Sequence, residues 1–289
     1  MNIQSAFTYI IHSIAPLYES REAANIAHLV MEYITGLSKL DRIIYKDRTL
    51  ALTQQAQLEQ AVEALLQHQP VQYVTGTAWF YGMELIVNPQ VLIPRPETEE
   101  LVEWIVQDAQ TKGPGALQIL DIGTGSGCIP LALKKELPGA GVWGIDVSPG
   151  ALETAQSNAL KLELDVRFEQ VDVLDARLTA ALPVFDLIVS NPPYIKQSED
   201  SGMQQQVLAY EPSLALFVPD EDALLFYRVI AELAKVKLAQ GGKLYFEINE
   251  ALGKEVVALL EAAGFKDVTL KQDIFGKNRM VRAMAFDIV

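Results

Sequence analysis

The sequence predicts an α/β protein: a doubly wound, mostly parallel sheet that ends in a C-terminal antiparallel β-hairpin, preceded by a small helical domain. Three observations carry this. Apolar residues recur at helical spacing through the first 70 residues. From residue 117 short apolar strands alternate with amphipathic helices, a pattern that builds parallel sheets covered on both faces. The tail then offers two strand-like runs in succession.

In chain order, SREAANIAHLVMEYITG places Ala23, Ile26, Ala27, Val30 and Ile34 on one helical face, with Ser20 as the expected cap and Gly36 as the stop. TQQAQLEQAVEALLQHQP repeats the pattern between a Thr53 cap and Pro70. These segments define a helical domain over residues 1–70, read as a substrate-docking module, with a stabilising extension as the alternative. Residues 71–95 read as a hairpin linker, with Trp79–Val87 as the hairpin and Gly82 in its turn. LIPRPETEE opens the larger domain, 96–289. Pro96 suits a first helical turn, and the acidic residues suit the positive end of the helix. Strands are expected at LQILDIG, GVWGIDV, DVRFEQV, FDLIVSN and GKLYFEI. Helices are expected between them, including SPGALETAQSNALKL and DALLFYRVIAELAKVKLAQ. The tail FKDVTLKQDIFGKNRMVRAMAFDIV supplies the closing hairpin, turning at Gly-Lys-Asn.

Composition narrows the function. The chain has 289 residues, is 50% hydrophobic and carries a formal net charge of −14. Only −2 of that lies in residues 1–75, so the remainder carries −12. An acidic domain without a basic cluster repels phosphates, so direct binding of nucleic acid is disfavoured. No stretch approaches the ~20 apolar residues of a membrane span. The N-terminus lacks a basic leader and a cleavage site, so no signal peptide is expected. One cysteine, Cys128, excludes an internal disulfide and fits a cytoplasmic protein. His12, His28 and His68 are widely spaced, so no metal site is expected.

The candidate chemistry begins at Asp121-Ile-Gly123-Thr124-Gly125-Ser126-Gly127, between a strand and a helix. Glycines there let the backbone turn tightly and approach a ligand. Asp146 ends the next strand, 19 positions after Gly127, where a carboxylate can accept from ribose hydroxyls. It could instead cap the following helix, but Ser148 can do that. The glycines run G-x-G-x-G, not the dinucleotide G-x-G-x-x-G. Asp121 stands directly before them, and a carboxylate suits a cationic or zwitterionic ligand better than a pyrophosphate. S-adenosyl-L-methionine is such a ligand. Asp172, just past the third strand, can accept from an adenine amino group; a surface loop is the bland alternative.

SNPPYI, residues 190–195, follows the fourth strand at the sheet edge where open α/β folds bind ligands. Two prolines cannot continue a sheet. Asn191 and the Pro192 carbonyl can both accept hydrogen bonds and together hold a planar NH2 group, with Tyr194 as a flat face beside it. Prolines fix these groups rigidly, which suits catalysis by positioning.

With these residues assembled, the chain resembles a class I, Rossmann-like S-adenosylmethionine-dependent methyltransferase. More narrowly, VQYVTGTAWFYGMELIVNPQVLIPRPETEELV, LDIGTGSGCIPLAL, IVSNPPYI, YEPSLALF and GGKLYFEI, in that order, resemble the HemK/PrmC family. These are the glutamine methyltransferases of peptide chain release factors. The resemblance covers most of residues 70–286. It implies methylation of the side-chain amide of the glutamine in the release factor's Gly-Gly-Gln loop. It implies that Gly123, Thr124, Gly125, Ser126, Gly127 and Asp146 hold the cofactor and that Val173 flanks its adenine. It places Asn191 between cofactor and substrate, and makes Asn191, Pro192, Pro193 and Tyr194 the glutamine site. Val173 stands where some relatives carry an aromatic residue, and VPDEDALLFY lacks glycines common in the family. Arg95, Glu97 and Thr98 follow the rigid Pro94 and are expected to help close the cofactor pocket; the alternative for Glu97 and Thr98 is a plain helix start. The alternatives are a glutamine methyltransferase of a ribosomal protein and an adenine-N6 methyltransferase of nucleic acid.

Overall fold

Apolar residues spaced by three or four bury one face of each N-terminal helix in the computed structural model, which describes residues 1–110, 117–202 and 205–285. α1 (Ile3–Ile14) starts with a reciprocal cap: Ser5 N donates to Asn2 Oδ1 at 2.8 Å and Asn2 N donates to Ser5 Oγ at 3.0 Å. α2 (Ser20–Thr35) ends at Gly36, which takes the left-handed conformation that glycine tolerates. α3 (Lys39–Ile44), α4 (Leu52–Leu66) and α5 (Val71–Thr75) follow. Ile10, Ile14, Met31, Leu58 and Leu65 form their buried core. Two expected caps are corrected. Ser20 is the first helical residue of α2 and Glu19 holds the cap position. Thr53 lies inside α4, where the Ala51 amide donates to Gln54 Oε1 at 3.0 Å instead.

The chain divides into two units. Residues 1–77 group with the short helix Gln205–Tyr210, and the rest of the described chain forms the larger unit. The hairpin read as a linker therefore groups with the larger unit. β1 (Thr77–Phe80) and β2 (Met83–Ile86) meet across Tyr81 and Gly82, both at positive φ, as a tight two-residue hairpin turn requires. Phe80, Met83 and Leu85 bury beneath it in the larger unit's core.

After α6 (Pro96–Gln110) the alternation runs as β3 (Gln118–Ile122), α7 (Cys128–Glu136), β4 (Gly141–Asp146), α8 (Pro149–Leu162), β5 (Arg167–Gln170), α9 (Ala176–Thr179) and β6 (Phe185–Ser190). Then come β7 (Ile195–Lys196), α10 (Gln205–Tyr210), α11 (Ser213–Leu216), β8 (Phe217–Val218), α12 (Leu225–Lys237) and β9 (Leu238–Glu247). α13 (Gly253–Ala262), β10 (Lys266–Gln272) and β11 (Asn278–Met284) close the fold, and residues 286–289 of the tail run lie outside the described residues. The expected α12 was too long: it stops at Lys237, and residues 238–240 already belong to β9.

The main sheet has the order β10-β11-β9-β6-β3-β4-β5. β9, β6, β3, β4 and β5 are parallel; β11 runs antiparallel to β9, and β10 antiparallel to β11. Alternate side chains serve opposite faces. Leu120, Ile188, Leu244 and Phe246 pack with α12 and α13. Ile119, Leu187, Val189 and Tyr245 pack with α6, α7 and the β1–β2 hairpin. The chain builds outward from β3 through β4 to β5, then returns to lay β6 against the free side of β3. That reversal leaves a crevice between the carboxyl ends of β3 and β6, where open α/β sheets bind their ligands.

Candidate active site

The turn after β3 is wound by its glycines. Gly123, Gly125 and Gly127 all take positive φ, at 76°, 54° and 80°. Gly123 N and Thr124 N both donate to Ile145 O, at 2.9 and 3.0 Å, which pins the loop to the end of β4. A side chain at Gly127 would also meet Ala155 Cβ at 3.1 Å and Leu131 Cδ1 at 3.2 Å, so it is closed to larger residues on two counts. Asp146, at the tip of β4, accepts from Gly125 N and from Ser148 N, each at 2.9 Å. Ser148 caps α8, accepting from Ala151 N at 3.2 Å. The capping job expected of Ser148 is thus its own, while Asp146 braces the glycine loop. Burial raises the Asp146 carboxyl above its ordinary value, against the lowering pull of its backbone donors.

Asp121 is fully buried at the end of β3, and neither carboxylate oxygen has a hydrogen-bond partner. Burial, with the nearby Asp146 adding to it, pushes its pKa up to about 7. Thr124 Oγ1 and Ser126 Oγ are also buried without partners. A buried polar atom left unpaired costs roughly 1–3 kcal/mol, so four in one loop need a polar occupant to complete them. A group that carries an ammonium and hydroxyls fits that donor and acceptor set.

At the carboxyl end of β6, Ser190 Oγ donates to Ile122 O at 2.7 Å and ties Asn191 to the start of the glycine loop. Asn191 Nδ2 donates to Thr98 Oγ1 at 3.4 Å, and Thr98 Oγ1 donates to Glu247 Oε2 at 2.6 Å. Pro192 is buried and Pro193 half-buried. Tyr194 packs on the Ile188–Phe246 core, and burial together with the nearby Glu247 raises its hydroxyl pKa. β7 then pairs in parallel with β8, Ile195 opposite Phe217, which brings the two halves of the SNPPYI and YEPSLALF motifs side by side. Past β5, Val173 packs on the same core as Tyr194. Asp172 Oδ1 accepts from Leu174 N at 2.9 Å, so one of its oxygens already serves its own turn. Val171 N donates to Asp146 O at 3.1 Å, which sets Asp172 and Val173 beside the end of β4. The structure therefore collects every expected site residue along one sheet edge.

Residues 98–213 match the family model described as the methyltransferase small domain, and residues 10–76 match the PrmC N-terminal domain. A release factor glutamine methyltransferase of Flavobacterium psychrophilum is 44% identical over 283 residues, which span 98% of this chain and 99% of the relative. The chain belongs to the release factor glutamine methyltransferase family. A family member from Bacteroides thetaiotaomicron is likewise 44% identical, over 95% of this chain and 97% of its own. The fold is shared more widely: a methyltransferase of Pyrococcus furiosus superposes with a TM-score of 0.50 at 19% identity, covering 80% of this chain and 98% of that one. The chain is thus a methyltransferase of class I architecture, and among its described residues no helix is long and apolar enough to cross a membrane.

Three further residues shape the methyltransferase site, and none was singled out in the sequence. Asn158 of α8 is fully buried. Its Nδ2 donates to Ile86 O and Ser126 O, each at 2.9 Å, and its Oδ1 accepts from Ile86 N at 2.6 Å. It clamps the edge of β2 to the glycine loop. Glu211, of the YEPSLALF motif, accepts from Arg95 Nη2 at 2.6 Å and from Ile93 N at 3.2 Å, which fixes the loop ahead of Thr98. Gly144 leaves room for the loop from below: a Cβ there would sit 2.7 Å from Thr124 Oγ1. Asparagine in a helix and glycine in a strand carry weak local signals. Only the E-P pair that opens α11 offered a clue.

Proposed function

We propose that the chain methylates the side-chain amide nitrogen of the glutamine in the Gly-Gly-Gln loop of peptide chain release factors, with S-adenosyl-L-methionine as methyl donor. The observation that carries the cofactor is the set of unpaired buried oxygens on Asp121, Thr124 and Ser126 beside a glycine loop braced by Asp146. Gly123 to Gly127 and Asp146 would hold the cofactor, with Asp172 and Val173 toward its adenine. When bound, the cofactor supplies a strongly electrophilic methyl group on a sulfonium.

An amide nitrogen is a poor nucleophile, because its lone pair is delocalised into the carbonyl. Geometry is the missing ingredient, and Asn191 and Pro192 supply it. Asn191 Oδ1 and the Pro192 carbonyl accept the two N–H bonds of the glutamine amide and aim its nitrogen at the methyl group. Pro193 keeps the turn rigid, and Tyr194 packs against the planar amide. The two acceptors also stabilise the positive charge that develops on nitrogen. A strong general base is not required, since a proton leaves readily once nitrogen is cationic. Residues 1–77 would serve the protein substrate as a docking unit, in a cytoplasmic enzyme with no direct role for nucleic acid.

The test is incubation with labelled S-adenosyl-L-methionine and, separately, a purified release factor, a ribosomal protein and duplex DNA. Label on the release factor alone is expected. Label confined to the ribosomal protein or to DNA would replace this substrate with one of the alternatives.

A further inference from the structure

Thr98 and Glu247 form a buried pair that the scheme above leaves idle. Thr98 lies in the first turn of α6 and Glu247 ends β9; each is 2% exposed. The Thr98 hydroxyl donates to Glu247 Oε2 at 2.6 Å and accepts from Asn191 Nδ2 at 3.4 Å. A hydroxyl carries one hydrogen and two lone pairs. Once that hydrogen is committed to a carboxylate, Thr98 can offer Asn191 only a lone pair. The network then decides which end of the Asn191 amide faces inward. Nitrogen turns to Thr98, and Oδ1 turns the other way. With the amide flipped, Asn191 would present two N–H donors to a substrate NH2 group that is itself a donor.

We infer that Thr98 and Glu247 are positioning residues that lock the Asn191 amide with Oδ1 toward the substrate nitrogen. This rests on the proposed role of Asn191 as an acceptor for that nitrogen. The lock needs an ionised Glu247. A protonated Glu247 would donate to Thr98, release the hydroxyl hydrogen toward Asn191 and favour the flipped amide. Burial pushes Glu247 up to about 7. The groups that bear on it are Arg279 of β11 and Arg95 before α6, which lower it, and Glu97 of α6, which raises it. Tyr194 after β6 and Cys128 of α7 also feel its charge, and Tyr227 of α12 donates to its backbone carbonyl at 3.4 Å. Arg279 is itself paired with Asp273 at 3.3 Å, so it does not neutralise Glu247 outright. Since the ionised form is the working one, methyl transfer should rise with pH through about 7.

The experiment is single-turnover methyl transfer to an intact release factor at saturating cofactor, from pH 6 to 8.5. It compares the parent with Thr98→Val, Thr98→Ser, Glu247→Gln and Asn191→Ala, with cofactor affinity measured by calorimetry. Thr98→Val should slow transfer on the order of 10- to 100-fold, as misplacement of a positioned group does. Thr98→Ser should keep the parental rate and pH profile. Glu247→Gln should lose the rise near neutrality, and cofactor affinity should stay within about 2-fold in all three, because the glycine loop and Asp146 are untouched. A parental rate for Thr98→Val beside a slow Asn191→Ala would overturn the inference and leave the proposed function standing. A parental rate for Asn191→Ala would remove the reading beneath it. A parent profile flat from pH 6 to 8 would overturn the lock even if Thr98→Val failed to fold.

Discussion

Asp121→Asn should make the ligand-free protein more stable at neutral pH, although it removes a residue at the heart of the site. Asp121 is fully buried with both oxygens unpaired, and its carboxyl is raised to about 7. In the unfolded chain it titrates near the ordinary ~3.9. The native state therefore binds more protons than the unfolded state between about pH 4 and 7, and stability falls as pH rises across that window. Three pKa units amount to about 4 kcal/mol, lost fully by about pH 8. Asparagine carries no charge to desolvate, but its buried amide would still cost roughly 1–3 kcal/mol. The net gain at pH 8 is then about 1–3 kcal/mol, or on the order of 2–12 °C in Tm for a unit of this size. Below about pH 4 both side chains are neutral, only the roughly 1–3 kcal/mol cost of the buried amide remains, and the variant should melt below the parent. Asp146 and Glu247 also have raised carboxyls, so the quantity to follow is the difference between variant and parent. Thermal melts of both proteins without cofactor, from pH 4 to 8.5, read it directly. A difference that stays constant with pH, or an asparagine variant that melts lower at pH 8, would refute the buried, unpaired carboxylate.

Other expectations follow from the same geometry. Asp146→Ala should weaken S-adenosyl-L-methionine binding by about 1–3 kcal/mol, a loss calorimetry would resolve; unchanged affinity would remove Asp146 from the cofactor site. Asn158→Ala strands Ile86 N, Ile86 O and Ser126 O, so urea unfolding should show a loss of about 3 kcal/mol or more; a loss under ~1 kcal/mol would mean that the clamp is dispensable. Asn191→Ala removes an acceptor used mainly in the transition state and should slow single-turnover transfer about 100- to 1,000-fold while cofactor affinity changes little. Asn191→Asp keeps the size and an oxygen but loses the N–H that Thr98 receives, and should also be slow with an intact fold; a fast aspartate variant would show that the amide is not needed.

What was legible in the sequence was local. The switch from helical to strand period gave the parallel sheet, because periodicity reports directly which face is buried. The hairpin turn was readable because Gly82 sits where φ must be positive. The glycine loop and SNPPYI were readable because glycine and proline constrain backbone at a single position. The helix starts at Ser20 and Thr53 were misplaced by one or two residues, since a polar residue in the first turn looks like a cap. Thr98 and the E-P pair stood out as residues, but the pairings of the supporting network were not legible. Asn158 meets Ile86 across 72 residues, Glu211 meets Ile93 across 118, and Thr98 meets Glu247 across 149. Such pairs exist only once the fold has laid β2 against α8 and brought the start of α6 to the end of β9. The grouping of Gln205–Tyr210 with residues 1–77 was hidden for the same reason.

The central claim is that this site transfers a methyl group to one amide nitrogen on a protein. Tandem mass spectrometry of an intact release factor, after incubation with the enzyme and isotopically labelled S-adenosyl-L-methionine, locates the methyl group directly. The account predicts a single labelled methyl on the side-chain nitrogen of the Gly-Gly-Gln glutamine, absent when Asn191→Ala replaces the parent in a matched short reaction. A methyl group on any other residue, or a release factor left unlabelled by an enzyme that binds the cofactor, would contradict it.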